Sequence, residues 1–182
     1  PGELLYHCIT REHDPVLFVE NKLLYLLPLA SESLQTDFDL SHEGESAYPW
    51  LRCSLRGAPT PQLTIAAYGY SAELARQAVL RLAYEQELFC DLLVPTQLAP
   101  FELAPLLASA QRTGRVLAIE EGTLTAGWGA EIIARAAEVL GSGLRCARRL
   151  AGADQPVPAS GPLEEAALPT SDDIYHTAQS MV

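Results

Sequence analysis

The sequence predicts an α/β fold with three layers, in which a mostly parallel sheet is flanked by helices. Three short apolar segments, at residues 63–68, 90–94 and 116–119, are typical of buried strands. Between them lie segments rich in alanine and leucine whose apolar residues recur at helical spacing. Because strands that alternate with helices are joined by crossover connections, we expect them to run parallel in one sheet.

The part of the chain before residue 62 predicts less regular structure. Residues 4–9 resemble the end of a helix, and residues 16–19 predict a short strand. The segment 30–61 is acidic and then rich in proline, without a clear period, which favours a linker. We therefore divide the chain into the end of one domain at 1–29, a linker at 30–61 and a second domain at 62–182.

The second domain begins with the strand at 63–68. Ser71 then suits the N-cap of a helix whose apolar stripe runs from Leu74 to Ala83. A helix at 100–110 would end at Gly114, since glycine is favoured just after a helix. A helix from about 130 to 140 follows the third strand, residues 144–150 predict a fourth strand, and two short helices lie near 163–167 and 171–179.

Length, charge and hydropathy exclude several classes of protein. The 182 residues are 48% hydrophobic, which allows a substantial core. No apolar run approaches the roughly 18 residues that a transmembrane helix needs. The net charge of −11 argues against binding to nucleic acid and favours a basic protein partner. The start, Pro1-Gly2-Glu3, lacks methionine and a signal peptide, which indicates a piece of a longer polypeptide.

Cysteines and histidines give no sign of a metal centre. The cysteines are Cys8, Cys53, Cys90 and Cys146, with no Cys-x-x-Cys pair. We interpret them as free thiols in a reducing compartment. The histidines are His7, His13, His42 and His176, and their spacing would not bring metal ligands together. A hydrolase is equally unsupported, because the glycine–serine–glycine elbow is missing.

The loop after the third strand is the strongest candidate for a ligand site. Gly127 and Gly129 precede a helix, but Ile132 stands where a dinucleotide fingerprint needs its third glycine. A P-loop would need Gly-Lys-Ser/Thr, and the single lysine is Lys22. We therefore interpret both glycines as structural, allowing a positive φ and close packing of helix on sheet.

Three carboxylates flank this loop. Glu120 and Glu121 lie at the carboxyl end of a strand, where α/β proteins bind ligands. A functional role and a structural one, bonding to the amides of the loop, both stay open. Glu131 lies early in the next helix, where the helix dipole favours a capping role.

Four stretches of the chain carry a resemblance to a known family: residues 14–25, residues 63–70, residues 120–122 with 127–131, and residues 156–158 with 162–164 and 168–169. Together, and with residues 112–114, they resemble the beta subunits of thiamine-diphosphate-dependent 2-oxoacid dehydrogenases. These are the first components of the pyruvate, branched-chain oxoacid and acetoin dehydrogenase complexes. The stretches occur in the family's order and span nearly the whole chain, whereas the acidic segment 31–46 departs from the family.

The resemblance implies what each part of the chain would do. Residues 1–29 would be the end of a pyrimidine-binding domain, and residues 62–182 a transketolase-type C-terminal domain. The family's thiamine-activating glutamate and catalytic histidine lie upstream, and its alpha subunit or domain binds the diphosphate and magnesium. This part would hold no catalytic or cofactor-binding residue of its own. It would serve assembly and docking in an enzyme that oxidatively decarboxylates a 2-oxoacid and transfers the acyl group to lipoyl groups.

The resemblance also implies partners and a compartment. The partners would be an alpha subunit or domain, a second beta subunit and the lipoyl acyltransferase core, in a bacterial cytoplasm or a mitochondrial matrix. The family docks the core's basic subunit-binding domain through the C-terminal domains of paired beta subunits. Candidate docking carboxylates near the C-terminus are Glu164, Glu165, Asp172 and Asp173.

The family further binds a structural potassium ion through backbone carbonyls. Carried over by position, those carbonyls belong to Ile9, Thr10, Glu12 and Asp14. The upstream part of the cage is not in this chain, and Glu12 and His13 depart from the usual residues.

Two functions outside this family stay open. One is a stand-alone α/β regulatory domain that binds a small anion at the carboxyl ends of its strands. The other is a complete small enzyme that uses Glu120 and Glu121, although no nucleophile, metal set or phosphate loop accompanies them.

Overall fold

A computed structural model describes residues 2–27 and 36–182. Its strands are β1 (Phe38–Glu43), β2 (Trp50–Leu55), β3 (Leu63–Ala67), β4 (Cys90–Pro95), β5 (Arg115–Thr123) and β6 (Cys146–Gly152). They form one sheet in the order β1-β2-β4-β3-β5-β6. The pairs β4–β3, β3–β5 and β5–β6 are parallel, and the pairs β1–β2 and β2–β4 are antiparallel. The predicted mostly parallel sheet is confirmed.

Helices cover both faces of this sheet. They are α1 (Gly2–Thr10), α2 (Tyr70–Gln86), α3 (Ala104–Thr113), α4 (Trp128–Leu140), α5 (Gly161–Ala167) and α6 (Ser171–Gln179), with short 3₁₀ helices at Lys22–Leu26 and Gly141–Gly143. Helices α2 and α6 pack on one face, and α3 and α4 on the other. The predicted three-layer α/β architecture is therefore confirmed.

The core is built by strands whose alternate side chains point to opposite faces. Ile65 and Leu117 pack with Leu82 of α2 and Ile174 of α6. Their neighbours on the same strands face the other way, where Ala66, Val116 and Ala118 meet Leu106 of α3 and Ile132 of α4. Each fully buried leucine or isoleucine side chain contributes about 1.5–3 kcal/mol relative to an exposed one.

The region before β3 differs from the sequence prediction. The segment 30–61, expected to be a linker, carries β1 and β2, and β2 pairs with β4 of the main sheet. Residues 30–35 of this segment, and the two before it, lie outside the described residues. Residues 16–19, expected to be a strand, are not in the sheet, and Leu17 and Val19 are exposed.

The structure corrects the predicted start of one helix and confirms the predicted end of another. Gly69, with φ +60°, caps α2, and Ser71 is the second residue of the helix, where it is buried with no hydrogen-bond partner for its hydroxyl among the described residues. The predicted N-cap at Ser71 is therefore wrong. Gly114 ends α3 in the left-handed region, with φ +64°, as predicted.

Candidate functional site

The fold places a topological switch point between β3 and β5. These strands are neighbours in the sheet, but the helix that follows β3 packs on one face and the helix that follows β5 on the other. Such a divergence opens a crevice at the carboxyl ends of the strands, where α/β proteins bind ligands. Tyr68, Glu120 and Glu121 lie at this crevice.

Glu120 is used to cap helix α4. Its side chain is only 2% exposed. One carboxylate oxygen accepts from the backbone N–H of Trp128 at 2.8 Å, and the other accepts from the N–H of Gly129 at 2.8 Å. Two of the free amides at the helix start are thereby satisfied, and the carboxylate lies at the positive end of the helix dipole. Of the two roles left open for Glu120, the structural one is observed.

The two glycines of the loop make this cap possible. A Cβ on Gly127 would lie 2.4 Å from the carbonyl oxygen of Thr123, and one on Gly129 would lie 3.0 Å from Glu120 Oε1 and 3.1 Å from Ala118 Cβ. Close packing of α4 on the sheet is therefore confirmed. The expected positive φ is not found at Gly127, whose φ is −71°.

Glu131 does not cap the helix. It is exposed and its carboxylate lies 4.0 Å from the guanidinium of Arg135 one turn later. The capping role expected from the sequence is wrong because Glu120, from the preceding strand, already occupies the helix start.

Glu121 faces a cavity of about 590 Å³ on the α2 side of the switch point. This strand-end cavity is lined by Asn21, Leu23, Tyr70, Leu74, Glu121, Gly161, Glu164, Glu165, Leu168, Pro169, Thr170 and Ser171. The amide nitrogen of Asn21 donates to both oxygens of Glu121, at 3.4 and 3.2 Å. Burial raises the pKa of Glu121 and the charge of Glu164 raises it further, while the Asn21 hydrogen bond opposes both.

The lining of the strand-end cavity argues against a small anion as its ligand. Three carboxylates, Glu121, Glu164 and Glu165, line it, and no lysine or arginine is among the described residues of its lining. An anion would be repelled there. The regulatory alternative considered from the sequence thus loses its chemical basis.

The four docking candidates fall into two pairs. Glu164 and Glu165 of α5 line the strand-end cavity. Asp172 is instead paired with Arg81 of α2, which also lies over the ring of Tyr175 at 4.5 Å. Asp173 forms a capping box with Thr170, and both halves of that motif are present. The second pair therefore stabilises α6, which leaves the first pair with no observed structural task.

A buried ionic cluster was missed by the sequence analysis. Asp91 of β4 is 1% exposed, and its carboxylate accepts from Arg52, Arg112, Ser54 and Ser109 at 2.7–3.0 Å. Burial alone would raise the pKa of Asp91, but these hydrogen bonds outweigh it and hold the pKa below its usual value. The available signal was an aspartate inside an otherwise apolar strand.

The N-terminal segment, by which we mean residues 2–27, contacts the rest of the chain through polar groups. Tyr48 donates to Glu12 at 2.8 Å, and its hydroxyl lies 3.5 Å from the thiol of Cys8.

Two of the candidate potassium ligands, the carbonyls of Ile9 and Thr10, lie at the last turn of α1, where backbone oxygens have no intrahelical partner. Such oxygens suit a potassium ion.

Metal-binding side chains are not clustered in the described part of the chain. Residues 2–27 and 36–182 contain no group of three or more histidines, cysteines, aspartates or glutamates that could hold a metal ion. All four cysteines are free, as expected. Among the same residues, no helix is long and apolar enough to cross a membrane.

Comparison with known proteins identifies the family. The family model "Transketolase, C-terminal domain" matches residues 55–174. The chain belongs to the transketolase C-terminal domain family. A solved structure described as "Split gene transketolase, inactive beta4 tetramer" superimposes with a TM-score of 0.56 at 25% identity, covering 68% of this chain and 40% of that chain.

Curated relatives extend the similarity over nearly the whole chain. The pyruvate dehydrogenase E1 component subunit beta-1 of Arabidopsis thaliana is 31% identical over 93% of this chain and 45% of its own length. The beta-2 subunit of Oryza sativa is 33% identical over 93% and 43%, and the beta subunit of Rickettsia bellii 26% over 94% and 49%. The resemblance found in the sequence is confirmed. The chain spans less than half the length of these relatives.

Proposed function

We propose that this chain is the C-terminal part of the beta subunit of a thiamine-diphosphate-dependent 2-oxoacid dehydrogenase first component. The similarity to pyruvate dehydrogenase E1 beta subunits over 93% of the chain is the observation that carries the proposal. In the parent enzyme, thiamine diphosphate would supply the chemistry that decarboxylates the 2-oxoacid. The residues of this part would bind neither the cofactor nor magnesium, and would serve assembly and docking.

Exposed apolar side chains in the N-terminal segment support this assignment. Leu17 is 89% exposed and Leu26 84% exposed, and no residue of α1 is buried. Leaving such side chains in water forgoes about 25 cal/mol for each Å² of apolar surface that could be buried. We propose that residues 1–29 are the end of a pyrimidine-binding domain, whose remainder covers this apolar surface. The transketolase-type domain then begins near residue 62, and β1 and β2 extend its sheet.

We propose the family's partners and compartment for the parent enzyme. They are an alpha subunit or domain, a second beta subunit and the lipoyl acyltransferase core, in a bacterial cytoplasm or a mitochondrial matrix. Docking of the basic subunit-binding domain would use carboxylates near the C-terminus. We favour Glu164 and Glu165, because Asp173 caps α6 and Asp172 pairs with Arg81.

Potassium binding by the carbonyls of Ile9, Thr10, Glu12 and Asp14 remains a proposal. The helix end that carries the first two presents a partial negative charge, which favours a cation. A parent enzyme with an identical unfolding midpoint in potassium and in sodium chloride, at equal ionic strength, would count against it.

An activity assay on the parent enzyme tests the proposed function. The polypeptide that contains these residues is purified with its alpha partner and supplied with thiamine diphosphate, magnesium, a lipoyl acceptor and either pyruvate or a branched-chain 2-oxoacid. We expect oxidation of one 2-oxoacid class, and loss of the alpha–beta assembly when residues 62–182 are deleted. Normal assembly without these residues would contradict the assigned role.

A further inference from the structure

Hydrogen bonds join the N-terminal segment to the rest of the described chain at two separate places. Near its start, Tyr48 from the connection between β1 and β2 donates to Glu12. Near its end, the side-chain nitrogen of Asn21 donates to both oxygens of Glu121, at 3.4 and 3.2 Å. Neither α1 nor the 3₁₀ helix Lys22–Leu26 has a buried residue, so the attachment depends on these polar contacts.

The side-chain amide of Asn21 is held at both of its ends. Its oxygen accepts from the backbone N–H of Leu23 at 3.0 Å and so caps the 3₁₀ helix, while its nitrogen donates to Glu121. An amide is both an acceptor and a donor, and these two contacts use it in both ways. The start of the 3₁₀ helix is thereby fixed to the carboxyl end of β5.

Glu121 is available for this contact because its neighbour has a different task. Glu120 is bonded to the amides of α4, on the other face of the sheet. Successive residues of a strand point to opposite faces, so Glu121 turns to the α2 side, where Asn21 lies at the strand-end cavity. Among the described residues, the carboxylate of Glu121 accepts from Asn21 alone. These hydrogen bonds favour its charged form, whereas a second carboxylate in place of Asn21 would be repelled.

We propose that Glu121 is a positioning residue, which through Asn21 fixes the end of the pyrimidine-binding part on the transketolase-type domain. The identity of the two parts rests on the proposed function, but the contact between them does not. Two attached points leave a rigid element only rotation about the line that joins them, and a single point leaves it free to pivot. Without the contact at Glu121, the pyrimidine-binding part would therefore lose its fixed angle to the transketolase-type domain.

Proteolysis at Lys22 tests the contact in the chain as it stands. Lys22 is the single lysine of the chain and is exposed, so a lysine-specific endoproteinase cuts there alone. The readout is the cleavage rate relative to that of the same variant unfolded in urea, which reports how often the segment opens when opening is faster than cleavage. Asn21→Asp places a second carboxylate against Glu121 and should raise this ratio by about tenfold.

A reciprocal exchange makes the test specific. When Asn21→Asp is combined with Glu121→Gln, both side chains keep their shape, the new amide donates to the new carboxylate, and aspartate still suits the cap of the 3₁₀ helix. We expect this double variant to return to within about twofold of the wild-type ratio. Asn21→Asp combined with Glu131→Gln has the same net charge and is the matched control, which should stay as open as Asn21→Asp alone. An equal effect of Asn21→Asp in the presence and absence of Glu121→Gln would overturn the contact.

The same variants in the parent enzyme test the positioning role. We expect Asn21→Asp to raise the concentration of alpha partner needed for half-maximal assembly by about fivefold, and the reciprocal exchange to restore it. Sedimentation measures assembly without turnover, so this result is separate from the proposed function, which an inactive wild-type parent enzyme would contradict. Faster cleavage at Lys22 together with unchanged assembly would overturn the positioning role.

Discussion

At the scale of single residues, the carboxylate of Glu120 has the most demanding structural task. It is buried and satisfies two amides at the start of α4. Glu120→Ala should lower the free energy of unfolding by about 2–4 kcal/mol, because two buried donors lose their acceptor and a cavity remains. Denaturant unfolding measures the change. Glu131→Gln, on the exposed face of the same helix, is the matched control and should change stability by less than about 0.5 kcal/mol. If Glu120→Ala and Glu131→Gln have the same free energy of unfolding, the cap contributes nothing to stability.

Asp91, near the amino end of β4, makes the stability of the chain depend on pH. Its pKa is held below the usual value, so the native state keeps it charged at pH values where the unfolded chain protonates it. Its contribution is therefore present above the unfolded pKa of about 3.8 and is lost as pH falls through the depressed native pKa. Asp91→Asn should cost about 3 kcal/mol at pH 7, because two arginines lose their buried partner, and this cost should shrink below pH 4.

Unfolding curves at pH 7 and pH 3 check this dependence. Asp39→Asn is the control, since Asp39 pairs with Arg56 on the surface, where ion pairs contribute little. If Asp91→Asn lowers the free energy of unfolding equally at both pH values, Asp91 is not the charged group that stabilises the native state.

At the scale of elements, the contact between α4 and β5 depends on the absence of a side chain at Gly129. Gly129→Val should destabilise the chain by about 1–3 kcal/mol, since the new side chain would press on Glu120 and Ala118. Gly161→Ala is the control, because a Cβ at that position meets no atom within 4 Å. If both variants unfold at the same denaturant concentration, the helix is packed more loosely than the structure indicates.

Elements were predictable from the sequence where a strand is buried on both faces. The strand at 116–119 and its helix were found because every residue of the strand is apolar. Strand β1 was missed because it is an edge strand with an exposed, polar face. Strand β2 was missed because Arg52 and Ser54 interrupt its apolar residues and because its two buried residues, Trp50 and Cys53, do not alternate with exposed ones. The false strand at 16–19 is apolar too, but the described residues offer it no partner strand. Bonding of Glu120 to the amides of the loop was one of two roles left open by the sequence, because the choice between them depends on the path of the loop.

Helix α5 is the element most suited to docking a basic partner. Reversing the charge of Glu164 and Glu165 should weaken binding of a basic subunit-binding domain and flatten its salt dependence, because charge complementarity speeds encounter. Reversing Glu131 and Glu138 on α4 changes the net charge equally and is the control. Titrations at low and high salt compare the two variants. An equal loss in both would show that only net charge matters, and no loss in either would place docking elsewhere.

At the scale of the whole molecule, the distribution of apolar surface separates two regions. The sheet from β2 to β6 and helices α2, α3, α4 and α6 bury a continuous core on both faces. The N-terminal segment contributes no buried residue and exposes large apolar side chains. The first region has a hydrophobic core of its own, as a domain has, and we propose that the second is an element of another domain. This contrast agrees with a chain that spans less than half of its curated relatives.

The central claim is that these residues form an assembly domain that does not bind the cofactor by itself. Isothermal titration of the purified chain with thiamine diphosphate and magnesium tests it most directly, with the parent enzyme containing its alpha partner as the positive control. We predict heat of binding for the parent enzyme and none for the chain, because in the proposed assembly the alpha partner binds the diphosphate and magnesium. Saturable binding to the chain alone at micromolar concentrations would contradict the claim.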